Sequence, residues 1–180
     1  LSARWLWLGA GLSIVGFVVL FESCDYGAGW QWLRLEYSTF WTLGGQARNL
    51  IFNGWHPLLP WLGFFFAGMA LAKGRINEPR RRRVALVASV VVYGAAWIAS
   101  HYLTQMEDTR PIRLQFSQWF AAPKHFWGMS SLPPGPLYML SAGAVAVFVI
   151  ALCLELTARP VVARLVRALV ITGQLALTFY

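Results

Sequence analysis

Charge is scarce in this sequence: 12% of its 180 residues are Asp, Glu, Lys or Arg. A water-soluble domain of this size carries about 25%, so the chain lacks the polar surface to stand in water. Acidic residues are scarcest, seven against fifteen Lys and Arg. The resulting +8 charge does not indicate nucleic acid, because the cations crowd into short stretches between apolar runs instead of lining a face with spaced aromatics. Cysteine is nearly absent, which excludes a disulfide scaffold or a Cys-rich metal module. Cys24 follows the first apolar run and Cys153 ends the fourth, so an alternating topology sets them at opposite membrane faces and no disulfide joins them. The three His residues, His56, His101 and His125, show no i, i+4 spacing and no neighbouring carboxylate, so no metal is expected. A Gly-rich phosphate loop, a GxSxG elbow and a Walker motif are all missing.

What is abundant is apolar: 58% of the residues are hydrophobic, and ten Trp sit mainly where apolar runs begin or end, as in an interfacial belt. Against the roughly 20 residues that a crossing needs, hydropathy picks out Trp5–Phe21, Leu58–Ala72, Val84–Thr104 and Leu137–Leu154, with a fifth run starting near Ala168. The second is short by that measure, and the stretch Asn49–Phe52 or local thinning of the bilayer helps it across. None of the four runs contains a charge, which argues against a proton relay or a voltage sensor within them. The expected fold is therefore all-α, a polytopic integral membrane helix bundle of four spans plus the start of a fifth. Residues 1–180 form one transmembrane domain. The missing initial Met and the stop at Tyr180 within an apolar run lead us to expect a piece of a longer protein.

The cations give an orientation. Lys73, Arg75, Arg80, Arg81, Arg82 and Arg83 crowd one connection and Arg159, Arg164 and Arg167 another, which makes loops 73–83 and 155–167 cytoplasmic by the positive-inside rule. Loops 22–57 and 105–135 then lie outside, where Glu22, Asp25 and Glu36, and Glu107 and Asp108, balance the cations. Arg4 independently places the first helix start inside. The outer loop 22–57 is rich in aromatics, and Ser38 is a candidate cap for a short interfacial helix through Phe40, Leu43, Ala47, Leu50 and Ile51, stopped by Asn53-Gly54. Within the spans, the pairs Gly63/Ala67, Ala70/Gly74 and Ala142/Ala146 permit close helix packing.

The stretch most suggestive of chemistry is Asn53-Gly54-Trp55-His56-Pro57-Leu58-Leu59-Pro60-Trp61, at the outer mouth of the second span. Two Pro free backbone groups there, and His56 is the side chain able to exchange protons near neutral pH. It is a candidate general base, and equally an amphipathic anchor at the interface. The cationic cluster is a candidate phosphate site, and also what a positive-inside loop needs with no ligand at all. The Ser130–Pro136 stretch has three Pro that open the fourth span stiffly, and no base follows its hydroxyls.

Phe52–Leu71 resembles the signature helix of the YeiB-like bacterial membrane family, which is similar to heparan-α-glucosaminide N-acetyltransferases. Ser131-Leu132-Pro133-Pro134-Gly135-Pro136-Leu137-Tyr138 and Gly173-Gln174-Leu175-Ala176-Leu177-Thr178-Phe179-Tyr180 resemble two later segments of that family, in order, so that the likeness covers about Phe40 to Tyr180. The family's N-terminal acidic and Arg motif has no counterpart here.

The resemblance implies a transmembrane acyltransferase of the bacterial inner membrane, moving an acyl group from a cytoplasmic coenzyme A thioester to an extracytoplasmic acceptor such as a sugar. Under it, Lys73, Arg75, Arg80, Arg81, Arg82 and Arg83 hold the coenzyme phosphates. His56 and Asn53 serve the acceptor as base and oxyanion donor, and Thr178 and Tyr180 face the same cavity. No tightly bound cofactor is expected, acetyl-CoA or another acyl-CoA being a co-substrate. The bilayer is the surrounding partner, nucleic acid is not one, and a homo-oligomer stays open. The alternatives are a membrane carrier or exporter of small molecules or lipids, and a structural membrane subunit.

Overall fold

The computed structural model describes residues 2–31, 34–105 and 126–178, except for the side chains of 174–178. Glu107, Asp108, Lys124, His125 and Tyr180, and the side chain of Thr178, lie outside the described residues. In order, the chain forms α1 (Ala3–Ser23), a two-stranded antiparallel ribbon β1 (Trp30–Gln31) and β2 (Glu36–Tyr37), α2 (Leu43–Arg48), a π-helical turn (Asn49–Asn53), α3 (Leu58–Lys73), α4 (Pro79–Gln105), α5 (Pro136–Thr157), α6 (Pro160–Leu165) and α7 (Arg167–Thr178). The ribbon pairs Trp30 with Tyr37 and Gln31 with Glu36.

At 1.5 Å per residue, α1, α4 and α5 are about 32, 40 and 33 Å long, enough to cross a hydrocarbon core of about 30 Å. Among the described residues these three helices are long and apolar enough to span. The α2–π segment Leu43–Asn53 and α3, bent by 45° at the break, make a fourth candidate as a pair. Most of the apolar surface of these helices faces outward, Leu8, Leu12, Val15 and Val19 on α1 and Val84, Val87, Val90 and Val91 on α4 being exposed. Helices apolar on their outer faces suit lipid.

The contacts run along narrow stripes. On α1, Leu6, Ala10, Ser13 and Phe17 are buried at helical spacing. Gly9 lies against the Phe66 ring, Gly16 against Leu59 and Gly63 against Ile14, so α1 and α3 pack antiparallel. On α4 the buried face is small, Ser89, Ala96 and Ser100, and meets Ser141, Ala144 and Ala151 of α5. Such small faces bring backbones close where apolar burial gives little drive. Gly63 and Ala70 are buried as small packing residues, but Ala146 is exposed. Ser141, Ala144 and Ala151 share one face and supply the close side of α5, while Ala146 lies on the other side of the helix.

Two corrections concern the connections. Ser38 does not cap the short helix: its hydroxyl donates to the Gly29 carbonyl, and Thr42 caps α2 by accepting from the Gly45 N–H at 3.0 Å. The stretch 73–83 is not one loop either, because α4 starts at Pro79 and carries Arg80, Arg81, Arg82 and Arg83 in its first turns. A Pro at a first helical position loses no hydrogen bond, which is why a helix starts here.

The antiparallel packing gathers the connections at two ends of the bundle. At one end the 24–57 connection joins Phe126 and Trp127 in an aromatic cluster with Phe17, Phe21, Tyr26, Trp30 and Phe52. There Phe21 and Phe126 stack at 4.1 Å between centroids. At the other end, the α3–α4 turn lies beside the end of α5, joined by Arg82 and Glu155.

Candidate functional site

The aromatic end is organised around one amide. Asn53 is fully buried. Its Nδ2 donates to the carbonyls of Tyr26 and Ala28, both at 2.9 Å, and its Oδ1 accepts from the Tyr37 hydroxyl at 3.0 Å. Its backbone carbonyl accepts from the Trp30 indole at 2.6 Å. One residue thus ties the ribbon, the turn after α1 and the end of the π-helical turn. The close fit depends on Gly29 at φ +89, where a Cβ would lie 2.7 Å from the Tyr37 ring.

Beyond Asn53 the chain crosses the mouth of α3 through Gly54, Trp55 and His56. Pro57 is extended, at φ −68 and ψ 140, and ends this crossing before the helix begins at Leu58. His56 is exposed, and its ring lies 5.4 Å from that of Trp61 on the first turns of α3. The Trp61 Nε1 and the Tyr26 hydroxyl are both buried, with no hydrogen-bond partner among the described residues. Each such group costs about 1–3 kcal/mol. Burial pushes the Tyr26 phenol above its usual range, so it stays protonated at neutral pH.

These bonds give Asn53 a different job from the expected one. Both of its amide hydrogens are taken by loop carbonyls, which leaves none for an acyl oxygen, while His56 stands free at the surface. Nearby, Phe21, Glu22, Cys24, Asp25, Tyr26, Phe126 and Trp127 line a cavity of about 170 Å³. A second, apolar groove of about 200 Å³ lies between α4 and α5, beside Ser89, Tyr93 and Phe148. His56 lines neither. On α4, His101 is exposed and its ring lies parallel to Trp97 at 5.6 Å.

The opposite end is cationic. Within the segments 73–83 and 155–167 nine Lys and Arg face two carboxylates, Glu78 and Glu155. Glu78, just before α4, pairs with Arg81 at 2.9 Å and Arg75 at 3.5 Å. Arg82 is buried and bonds through Nε to Glu155 of α5, and Arg83 approaches the same carboxylate at 3.9 Å. Four cations at a helix start oppose the helix dipole, and these two acids offset the repulsion. Arg80 is exposed and in no ion pair among the described residues, while Lys73 is exposed at the end of α3. The expected six-residue phosphate set is thus divided. Arg82 is a helix-to-helix tie, and Arg80, Arg81, Arg83, Arg75 and Lys73 expose their side chains.

Sequence reasoning missed Glu155, Tyr37 and Trp61. Glu155 had a signal, as one of two acids amid nine cations. Tyr37 had none, because its bond to Asn53 spans sixteen residues.

Residues 2–106 match the model of a protein family described as heparan-alpha-glucosaminide N-acetyltransferase, catalytic. The match reaches closer to the N-terminus than the resemblance from Phe40 onward. Comparisons with curated proteins and with solved structures gave no match.

Proposed function

The chain belongs to the heparan-α-glucosaminide N-acetyltransferase catalytic family, and from that membership we propose that it moves an acyl group from coenzyme A, bound at its cationic end, to an acceptor at the His56 mouth. Family and apolar helices together make it an integral membrane protein of transmembrane acetyltransferase type. The finer reading is a YeiB-like enzyme of the bacterial inner membrane, with segments 73–83 and 155–167 cytoplasmic, 22–57 and 105–135 extracytoplasmic, and a sugar as acceptor.

The observation that supports this reading is the polarity of α3. His56 precedes its first turn and Lys73 ends it, so one helix of sixteen residues, about 24 Å long, separates the candidate base from the cationic end. A thioester has to be carried along the bundle by an extended arm, which the pantetheine chain of coenzyme A supplies. Exposed guanidinium groups at Arg80 and Arg83 suit phosphate oxygens. At the mouth, His56 takes a proton from the acceptor hydroxyl or amine as that atom bonds to the acyl carbon. The thiolate leaves and receives the proton.

Isothermal titration of acetyl-CoA into detergent-purified protein tests the donor half. Saturable binding, weakened by Arg80→Ala with thermal stability unchanged, is the expected result. No binding by folded protein would put a carrier ahead of an acyltransferase. Arg82 is left intact in this test because Glu155 depends on it.

A further inference from the structure

An acyl transfer at the His56 mouth needs a donor for the oxygen that becomes negative as the tetrahedral intermediate forms. Asn53, three residues before His56, has no hydrogen to give, since Tyr26 and Ala28 hold both. Trp61 does have one. Its indole lies 5.4 Å from the imidazole of His56 and 5.6 Å from the ring of Phe64, centroid to centroid. Its Nε1–H is shielded from solvent and unpaired among the described residues. Buried N–H groups nearly always have a partner, and one without a partner beside the candidate base is placed to receive an oxygen that comes with the substrate.

We infer that Trp61 is the oxyanion donor of this site. The inference rests on the acyltransferase reading above and adds a residue to it. As His56 removes the acceptor proton, the acceptor atom bonds to the acyl carbon and the carbonyl π electrons move onto oxygen, where the Trp61 N–H donates to it. Collapse restores the carbonyl, breaks the carbon–sulfur bond and returns the proton from His56 to the thiolate. A screened N–H is worth more here than one in water, because no reorganisation is needed when the charge appears.

The test is steady-state transfer from acetyl-CoA to glucosamine or glucose by the full protein in liposomes. It compares wild type with Trp61→Phe and with Trp61 replaced by 3-benzothienylalanine, which keeps the ring size and lacks only the N–H. The expected result is a kcat about 100-fold lower in both, with the KM for acetyl-CoA within about twofold and the thermal midpoint retained by the benzothienyl protein. Full kcat in the benzothienyl protein, with active wild type, overturns the Trp61 assignment and leaves the acyltransferase reading standing. No transfer by wild type to either acceptor overturns both.

Discussion

The buried guanidinium of Arg82, near the start of α4, is bonded to the carboxylate of Glu155, in the last turn of α5, across 73 residues of sequence. It fastens the cationic ends of two helices whose buried faces include the small residues Ser89, Ala96 and Ser100 on α4 and Ser141, Ala144 and Ala151 on α5. Breaking one side of such a pair strands the other charge, whereas replacing both with apolar groups is often neutral. Glu155→Gln is therefore expected to lower the thermal midpoint by several degrees, and Arg82→Met with Glu155→Leu to recover most of it. Thermal unfolding in one detergent, run on the single and double variants, checks this.

Asn53 is expected to matter for stability in proportion to its bonds. Asn53→Ala removes three side-chain hydrogen bonds and strands two carbonyls and a phenol, for a loss of about 3 kcal/mol. Tyr37→Phe removes one, for about 1 kcal/mol. Loosening of the 24–57 connection should show as faster tryptic cleavage after Arg34 and Arg48 in Asn53→Ala. Cleavage at the wild-type rate would mean that the amide does not hold the connection.

Two glycines separate close approach from helix propensity. A Cβ at Gly135 would lie 1.8 Å from the Phe126 carbonyl oxygen, whereas one at Gly94, within α4, meets nothing within 4 Å. Gly135→Ala is expected to destabilise by more than about 2 kcal/mol and Gly94→Ala to stabilise by up to about 1 kcal/mol. Paired unfolding measurements with the two variants check both signs.

The bundle was legible where the signal is local. Long apolar runs fixed α1, α4 and α5 to within a few residues, because a helix in lipid must satisfy its own backbone. Legibility failed where partners are distant. Ser38 and Thr42 are both capping residue types, and nothing local tells which one caps α2 until the ribbon draws Ser38 to Gly29. Asn53 read as a free polar group because its partners lie up to 27 residues away. Arg82 read as one of six equivalent cations, and only the approach of α5 sets it apart. The exposure of His56 beside the Pro-flanked start of α3 agrees with its place in the sequence, whereas the buried, unpartnered N–H of Trp61 has no local sequence signal.

The most direct test of the account is the turnover of His56→Ala in liposomes with acetyl-CoA supplied to the cationic face and acceptor to the other. His56 is exposed, so the variant should fold and express as wild type does. Loss of a general base predicts kcat lower by about 100-fold or more, with acetyl-CoA binding unchanged. Wild-type turnover in His56→Ala at saturating substrates would contradict the account and move the chemistry away from this mouth.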